Sequence, residues 1–269
     1  MPTINQVVDI LQKSAIALEK TVDTLKVGEG TAEVLGIASV FMPSHDILQR
    51  CAARRLNLVI AHEAPFYHHL DQLNVWPGDG VLQAKQQLIH ESGLAIFRWH
   101  DHIHRTHPDL IVDGLIRDLD WTQYLTSGKP KLDLPLETKP LVIPKMPLRD
   151  VVQHIKARLR LDFVRVVGDP EMTCVRVGVL PGYCGGGALA IPYFEAEHLD
   201  LIITGEGPEW ETPEYVRDAL SQGKAKALIV LGHGPSEESG MKYLVDWMRP
   251  LLPCLPIEFL AEARLFRLM

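Results

Sequence analysis

The stretch LNLVIAHEAP (residues 56–65) matches a second stretch, LDLIITGEGP (residues 199–208), position by position. Apolar residues occupy corresponding places, and both stretches end in glutamate, one small residue and proline. Near-continuous apolar runs of this kind are typical of strands buried on both faces of a parallel sheet. Two buried strands can look alike by chance, but the matched Glu-x-Pro endings favour two related halves of one α/β protein.

Strand and helix patterns alternate on both sides of each stretch, as they do in α/β folds. Predicted strands cover residues 34–42, 56–61, 94–99, 163–167, 175–180, 201–204, 227–231 and 257–260. Predicted helices cover residues 1–25, 44–55, 80–92, 109–119, 148–159, 188–197 and 237–248. This order predicts mainly parallel or mixed sheets covered by helices, which is a three-layer arrangement.

A proline-rich segment interrupts the alternation in the middle of the chain. Residues 127–147 contain five prolines, and proline disrupts both helices and central strands. The segment is therefore predicted to be a linker between an N-terminal α/β lobe (residues 1–126) and a C-terminal α/β lobe (residues 148–269). We expect these two similar lobes to face one another, with a metal site between them.

The composition argues against several classes of protein. A formal net charge of −7 over 269 residues argues against nucleic acid as a partner. The four cysteines form no C-x-x-C pair, so neither a zinc knuckle nor a disulfide scaffold is indicated. No segment reaches the roughly 20 apolar residues of a membrane-spanning helix, and the start lacks a signal-peptide pattern. We therefore expect no membrane partner and a cytoplasmic location.

His62 and Glu63 follow directly after the apolar run of residues 56–61. Such a position is the carboxyl end of a buried strand, where open α/β sheets place ligands and catalytic groups. The motif is not the helical H-E-x-x-H of zinc proteases, because residue 66 is phenylalanine. A hydrogen-bonded His–Glu pair in a loop is the alternative to a pair of metal ligands.

The stretch WHDHIHRTH (residues 99–107) follows the next predicted strand and is dense in histidine. Imidazole and carboxylate are the ligands that suit zinc, manganese and iron, so the cluster indicates metal binding. Its candidate residues are His100, Asp101, His102, His104 and His107. The pattern does not decide which of them bind, since some must orient ligands or lie exposed in a loop.

The stretch LIVLGHGPSEESG (residues 228–240) places His233 after a further strand and Glu237 near the start of a helix. A glycine-rich bend allows both side chains to turn back toward the strand end, so both are candidate metal ligands. Alternatively, Glu237 or Glu238 supplies only favourable charge to the first helical turn.

Two weaker features accompany these clusters. The segment Tyr183-Cys184-Gly185-Gly186-Gly187 lacks the lysine of a P-loop, so a tight turn is favoured over an anion-binding nest. Glu206 follows Thr204-Gly205 and is predicted only as a hydrogen-bond partner of a metal-bound histidine.

Together these motifs resemble the NGG-one-interacting factor three family, also called GTP cyclohydrolase I type 2-like or dinuclear metal-centre hexameric proteins. The family motifs are His-His-Pro, His-x-x-x-Asp, Thr-Gly-Asp/Glu and Gly-His-x-x-Ser-Glu. They correspond here to residues 62–65, 100–104, 204–206 and 232–237, and the resemblance spans nearly the whole chain. Two positions depart from the pattern: Glu63 stands where the family has histidine, and His104 stands where it has aspartate, unless Asp101 takes that role.

The resemblance implies a toroidal homo-hexamer of two-lobed subunits, with two divalent transition metal ions (zinc, manganese or iron) per site lining its interior. It implies metal ligands at His62, Glu63, His104, His233 and Glu237, with Glu237 as the bridge. The two departures compensate, because the set keeps three imidazoles and two carboxylates. The large inserted domain of some family members is absent from this sequence.

A two-metal centre supports hydrolysis of a small-molecule substrate, such as a cyclic amide or imine, a nucleotide or a phosphoester. His100 and His102 are candidate proton carriers if they are not ligands. An amidohydrolase barrel is disfavoured, because neither eight βα units nor a metal-bridging lysine is evident. The remaining alternative is a metal-binding hexamer that regulates a partner or binds a ligand without catalysis.

Overall fold

The structure, a computed structural model, describes residues 1–128, 131–132 and 134–269. The remaining positions, Lys129, Pro130 and Asp133, belong to the predicted linker and lie outside the described residues. Within the described residues, the chain combines helices with two five-stranded mixed sheets. The predicted α/β fold class is therefore confirmed.

Helices and strands alternate along most of the chain. In chain order, the strands are β1 (Leu25–Val27), β2 (Ile37–Val40), β3 (Leu58–Ala61), β4 (Ala95–Arg98), β5 (Leu141–Pro147), β6 (Arg165–Val167), β7 (Thr173–Leu180), β8 (Leu201–Thr204), β9 (Ala227–Val230) and β10 (Ile257–Phe259). The helices are α1 (Ile4–Lys13), α2 (His45–Ala53), α3 (Gly80–Ser92), α4 (Leu110–Asp118), α5 (Leu148–Leu159), α6 (Gly187–Ala196), α7 (Thr212–Ser221) and α8 (His233–Met248). None of these helices combines the length and the apolar character needed to cross a membrane.

The first compact unit comprises Met1–Leu110 and Met241–Arg264. Its sheet has the strand order β1-β4-β3-β2-β10, in which β1 pairs antiparallel with β4 and the other pairs are parallel. Apolar side chains of β2, β3 and β4 pack with those of α2 and α3 into a buried core. Each of these two helices has a side-chain N-cap. The Ser44 side chain accepts a hydrogen bond from a backbone N–H of α2, and the Asp79 side chain accepts one from a backbone N–H of α3.

The second compact unit comprises Ile111–Gly240 and Leu265–Met269. Its sheet has the strand order β5-β7-β8-β9-β6, with three parallel strands in the centre and an antiparallel strand at each edge. β8 and β9 are buried along nearly their whole length, and the central strands share a core with apolar residues of α4, α5, α6 and α7. This burial explains the near-continuous apolar runs of β8 and β9.

Both units contain the same run of three consecutive parallel strands joined by helices. The run is β2-α2-β3-α3-β4 in the first unit and β7-α6-β8-α7-β9 in the second. The matched stretches at residues 56–65 and 199–208 contain the middle strand of each run, β3 and β8. Their likeness in sequence therefore corresponds to the same local topology.

The compact units differ in extent from the predicted lobes. β10 pairs in parallel with β2, and Met241–Arg264 belongs to the first unit, while Leu265–Met269 belongs to the second. The predicted linker, residues 127–147, contains β5, which pairs antiparallel with β7 at the edge of its sheet. Proline is tolerated in β5 because an edge strand leaves one row of its backbone groups outside the ladder.

Besides β5 and the unpredicted short strand β1, three helices differ from the sequence-based prediction. The first helix ends at Lys13 instead of covering residues 1–25. Helix α7 was not predicted, although Pro213 in its first turn is a common helix-start signal. Helix α8 begins at His233 instead of residue 237, because the first turn of a helix tolerates Gly234 and Pro235.

Helix α4 approaches the first turns of α8 at two glycines. A Cβ atom added to Gly114 would lie 2.6 Å from the Cα atom of Gly240. We predict that Gly114→Ala lowers the free energy of unfolding by about 1–3 kcal/mol, because backbone atoms cannot rotate away from the added methyl group.

The control is Gly80→Ala at the start of α3, where an added Cβ meets no atom within 4 Å. It should leave stability unchanged or slightly raised. Chemical denaturation of the two variants and the parent protein makes the measurement. Equal stabilities for the two variants would contradict the close packing at Gly114.

Candidate metal centre

The carboxyl ends of β3 and β4 bring histidine and glutamate together in the first unit. The two strands are parallel neighbours, with Ala61 of β3 beside Arg98 of β4. His62 and Glu63 leave the end of β3, while His100 follows β4 by two residues. Because the ends of parallel strands meet at one edge of the sheet, these side chains converge there.

Three candidate ligand atoms, one each from His62, Glu63 and His100, lie within 4.8 Å of one another. The imidazole rings of His62 and His100 are stacked, with centroids 4.6 Å apart. The ring of His104 lies with its centroid 5.3 Å from that of His62. Two imidazoles and a carboxylate suit a divalent transition metal ion, so the donor set fits the predicted cofactor.

Two histidines of this cluster each contact a carboxylate through Nδ1. The Nδ1 atom of His100 lies 2.9 Å from Asp101 Oδ1, and that of His104 lies 3.0 Å from Asp109 Oδ2. The carboxylate accepts, so the Nδ1 atom carries a proton and Nε2 is the atom available for coordination. Metal-binding histidines are commonly oriented in this way.

Asp101 lies in the cluster as a partner of His100. Its Oδ1 atom faces His100, and its Oδ2 atom accepts from the Thr21 hydroxyl and the Val22 backbone N–H. The hydrogen bond from His100 holds the pKa of Asp101 well below its usual range. Both of its oxygen atoms are thus engaged by protein groups, which favours His104 over Asp101 as the ligand.

The environment of His100 favours its protonated form. Burial alone would lower the pKa of His100, but hydrogen bonds to Asp101 and Glu63 outweigh burial and raise the pKa to about 9. The Nε2 atom lies 3.6 Å from Glu63 Oε1. A metal ion bound through Nε2 would displace a proton, as metal ions generally do at their ligands.

His102 occupies a different environment from His100. Its ring is buried, and its Nδ1 atom lies 2.9 Å from Asp23 Oδ2. The buried Asp23 carboxylate also accepts from the backbone N–H groups of residues 100, 101 and 102. Within the described part of the chain, His102 belongs to no group of three candidate ligands. His107, the last histidine of the stretch, is exposed.

Arg98, the last residue of β4, supports Glu63 from inside the protein. Its side chain is fully buried, and its Nη2 atom lies 3.1 Å from Glu63 Oε2. The same guanidinium donates to the backbone carbonyls of His62 and His69. Arg98 was not among the residues predicted for the site. A charge at the end of an apolar strand is nevertheless a recognisable signal, because a buried arginine needs partners.

Lys85 of α3 anchors the chain just beyond Glu63. Its ammonium group is buried, donates to the Pro65 carbonyl at 2.5 Å and lies 4.8 Å from the ring centre of Tyr67. Burial lowers the pKa of Lys85 to about 8. The turn that follows Glu63 is therefore held by a side chain from a neighbouring helix.

The second unit carries its own histidine–carboxylate group at the ends of β8 and β9. His233 and Glu237 lie one turn apart at the start of α8, with Nε2 and Oε2 3.1 Å apart. The Nδ1 atom of His233 lies 3.0 Å from Oε1 of Glu206, which follows β8. Glu206 thus makes the contact with a candidate ligand that the sequence suggested for it.

Glycine is required beside the buried Glu237. A Cβ atom added to Gly182 would lie 2.2 Å from Glu237 Oε1, and the backbone φ of Gly182 is +60°. The Ser236 hydroxyl links the two segments, since it accepts from the Gly182 N–H and donates to the His233 carbonyl. In this way the loop after β7 closes over the first turn of α8.

In the turn at residues 183–187, two backbone N–H groups donate hydrogen bonds to other parts of the chain. The Gly185 N–H donates to the Glu206 carbonyl, and the Gly187 N–H donates to the Glu211 carboxylate at 2.7 Å. These contacts favour the tight-turn interpretation over an anion-binding nest.

Several solved structures have the same fold. Protein ybgI matches with a TM-score of 0.76 at 20% identity, covering 98% of this chain and 99% of that chain. A Bacillus cereus protein related to NIF3 gives 0.76 at 13% identity, covering 100% and 99%. Reduced HcgD from Methanocaldococcus jannaschii gives 0.73 at 17% identity, covering 96% and 97%. At these identities the similarity shows the fold alone.

Sequence comparison identifies the family. No curated protein matches the chain significantly. The sequence profile of one family, however, matches residues 2–261, which is nearly the whole chain and includes every motif quoted above. The chain therefore belongs to the Duf34/NIF3 (NGG1p interacting factor 3) family.

Proposed function

We propose that this protein is a dinuclear-metal-dependent hydrolase that acts on a small molecule. The substrate classes that fit such chemistry are cyclic amides or imines, nucleotides and phosphoesters. The observation that carries the proposal is the group formed by His62, Glu63 and His100, whose ligand atoms lie within 4.8 Å of one another. Family membership adds support, because the family motifs also combine histidines with carboxylates at the ends of strands, although Glu63 and His104 depart from the family pattern.

The proposed cofactor is a pair of divalent transition metal ions, zinc, manganese or iron. We assign His62, Glu63, His104, His233 and Glu237 as ligands, and His100 as a further candidate because of its place beside His62. When bound, such ions supply Lewis acidity to a substrate oxygen and make water more acidic. We further propose that the protein works as a cytoplasmic homo-hexamer.

The chain's own residues would orient and tune this centre. Asp109 and Glu206 fix the rings of His104 and His233 through Nδ1. Arg98 holds the Glu63 carboxylate in place, because its Nη2 atom lies 3.1 Å from Glu63 Oε2 and supplies a counter-charge. His100 is partly exposed and holds a proton beside Asp101, so, if it is not a ligand, it is the better candidate of the two histidines for proton transfer to a substrate. The buried His102 serves instead as a partner of Asp23.

A metal-binding protein without catalysis is the second candidate function. It is favoured by the complete burial of His62, because metal sites closed by protein are usually structural. Such a protein would regulate a partner or bind a ligand as a ring. The two functions differ in one property, since a catalytic metal keeps a coordination position open for water or substrate.

Metal content is the first test. Protein purified without chelator should contain about two transition metal ions per chain, as dinuclear hydrolases do. We predict that His62→Ala and the double variant His233→Ala, Glu237→Ala each lose metal, because each removes assigned ligands. The matched control is His90→Ala, an exposed histidine of α3, which should retain the parent content. A parent protein without metal, even after reconstitution, would rule out the hydrolase.

An open coordination position is the second test. Azide added to cobalt-substituted protein should shift the visible absorption bands of the metal, because a small anion enters an open site. An unchanged spectrum in metal-loaded protein would favour the non-catalytic function. The shift should be lost together with the metal in His62→Ala.

The buried Arg98–Glu63 pair makes a third test. Arg98→Met removes the guanidinium that pairs with Glu63. Because the carboxylate then loses its counter-charge, we expect the free energy of unfolding to fall by about 3 kcal/mol. Arg98→Met combined with Glu63→Gln should recover part of the loss. Arg54→Met is the control, because the exposed Arg54–Glu258 pair should contribute less than about 1 kcal/mol. Equal losses for Arg54→Met and Arg98→Met would contradict the role given to Arg98.

A further inference from the structure

An open cleft of about 410 Å³ lies in the second unit, next to the carboxylate that contacts His233. Its lining includes Tyr183, Trp210, Arg165, Glu206 and Glu209. Glu206 is shared with the candidate metal centre, since its Oε1 atom lies 3.0 Å from His233 Nδ1. A molecule in the cleft would therefore lie beside that histidine–carboxylate pair.

Two aromatic side chains of the cleft are turned toward solvent. Trp210 is 75% exposed and Tyr183 is 64% exposed. Tryptophan is on average among the more buried residues of folded proteins, so an exposed tryptophan beside an exposed tyrosine is unusual. Exposed aromatic side chains at a concave surface are typical of sites that bind planar ligands.

The backbone that carries these rings has little freedom. Glycines of the two loops touch, because a Cβ atom on Gly207 would lie 2.6 Å from the Gly185 carbonyl carbon. The Gly185 N–H donates to the Glu206 carbonyl, and the Thr212 hydroxyl donates to the Gly185 carbonyl. Binding here would not require the ordering of a mobile loop, which would otherwise weaken affinity.

The charges of the cleft select among planar ligands. Arg165 is paired with Glu209, with Nη1 and Oε1 2.8 Å apart. The side chain of Glu206 remains 43% exposed. Two carboxylates against one guanidinium disfavour an anion and favour a ligand that presents N–H donors, since ionised carboxylates are acceptors only.

We propose that this cleft binds the planar part of the substrate, an uncharged or cationic nitrogen heterocycle with N–H donors, against Trp210 and Tyr183. The heterocycle donates to the cleft carboxylates and stacks on the aromatic rings. That the ligand is the substrate rests on the proposed hydrolase function; the binding of the heterocycle itself does not.

Three probes that differ at one ring position test the proposal: 2-aminobenzimidazole, benzimidazole and benzimidazole-2-carboxylate. Equilibrium dialysis against the full chain should give the tightest binding for the amino compound and the weakest for the carboxylate. Trp210→Ala should weaken binding of the amino compound at least about fivefold, the lower end of the effect of losing one stacking contact. Trp210→Phe should retain much of the affinity. Phe266→Ala, which removes an aromatic ring 72% exposed elsewhere, should have no effect.

Three results would overturn the proposal. These are no binding of 2-aminobenzimidazole up to its solubility limit, equal affinity in Trp210→Ala and the parent, and a change of oligomeric state in Trp210→Ala by light scattering. The last would make the aromatic surface a contact between copies of the chain. Metal content measured on the same samples separates the two hypotheses: metal without probe binding refutes the cleft alone, and probe binding without metal refutes the hydrolase alone.

Discussion

A buried guanidinium group requires a counter-charge, and this requirement determines how the histidine–glutamate cluster of the first unit is arranged. Arg98 is fully buried at the end of β4. Its Nε and Nη1 atoms donate to the carbonyls of His62 and His69, and its Nη2 atom donates to the Glu63 carboxylate. The same contacts that compensate the desolvation of arginine therefore position the backbone that presents His62 and Glu63.

The two units reach similar chemistry from the same topology. In each, a carboxylate follows the second strand of the β-α-β-α-β run, and a histidine follows the third: Glu63 with His100, and Glu206 with His233. The partners differ, however. Glu63 belongs to the group of candidate ligands while Asp101 orients His100, whereas Glu206 itself orients His233. The same arrangement of strands thus places the carboxylate as a candidate ligand in one unit and as the partner that orients a histidine in the other.

Sequence patterns predicted the centre of each sheet better than its edges. β8, α3 and α5 have the predicted bounds, because fully buried strands and helices with a regular apolar pattern leave strong local signals. β5 was hidden by its prolines, and the partnership of β10 with β2 depends on a contact far along the chain. Candidate ligands could be proposed from their density at strand ends. Asp23, which holds His102, carries no local signal, since only the fold brings it near, whereas Asp109 lies five residues from its partner His104.

The contact of Gly185 with Gly207 has a consequence for how this protein family could diversify. Because the two backbones touch without intervening side chains, neither loop can shift without disturbing the other. Changes of ligand preference would therefore arise through replacement of the outward-facing side chains at positions 183, 209 and 210, on a backbone that stays constant. A library randomised at these three positions would explore new specificities while leaving the sheet and the histidine–carboxylate groups intact.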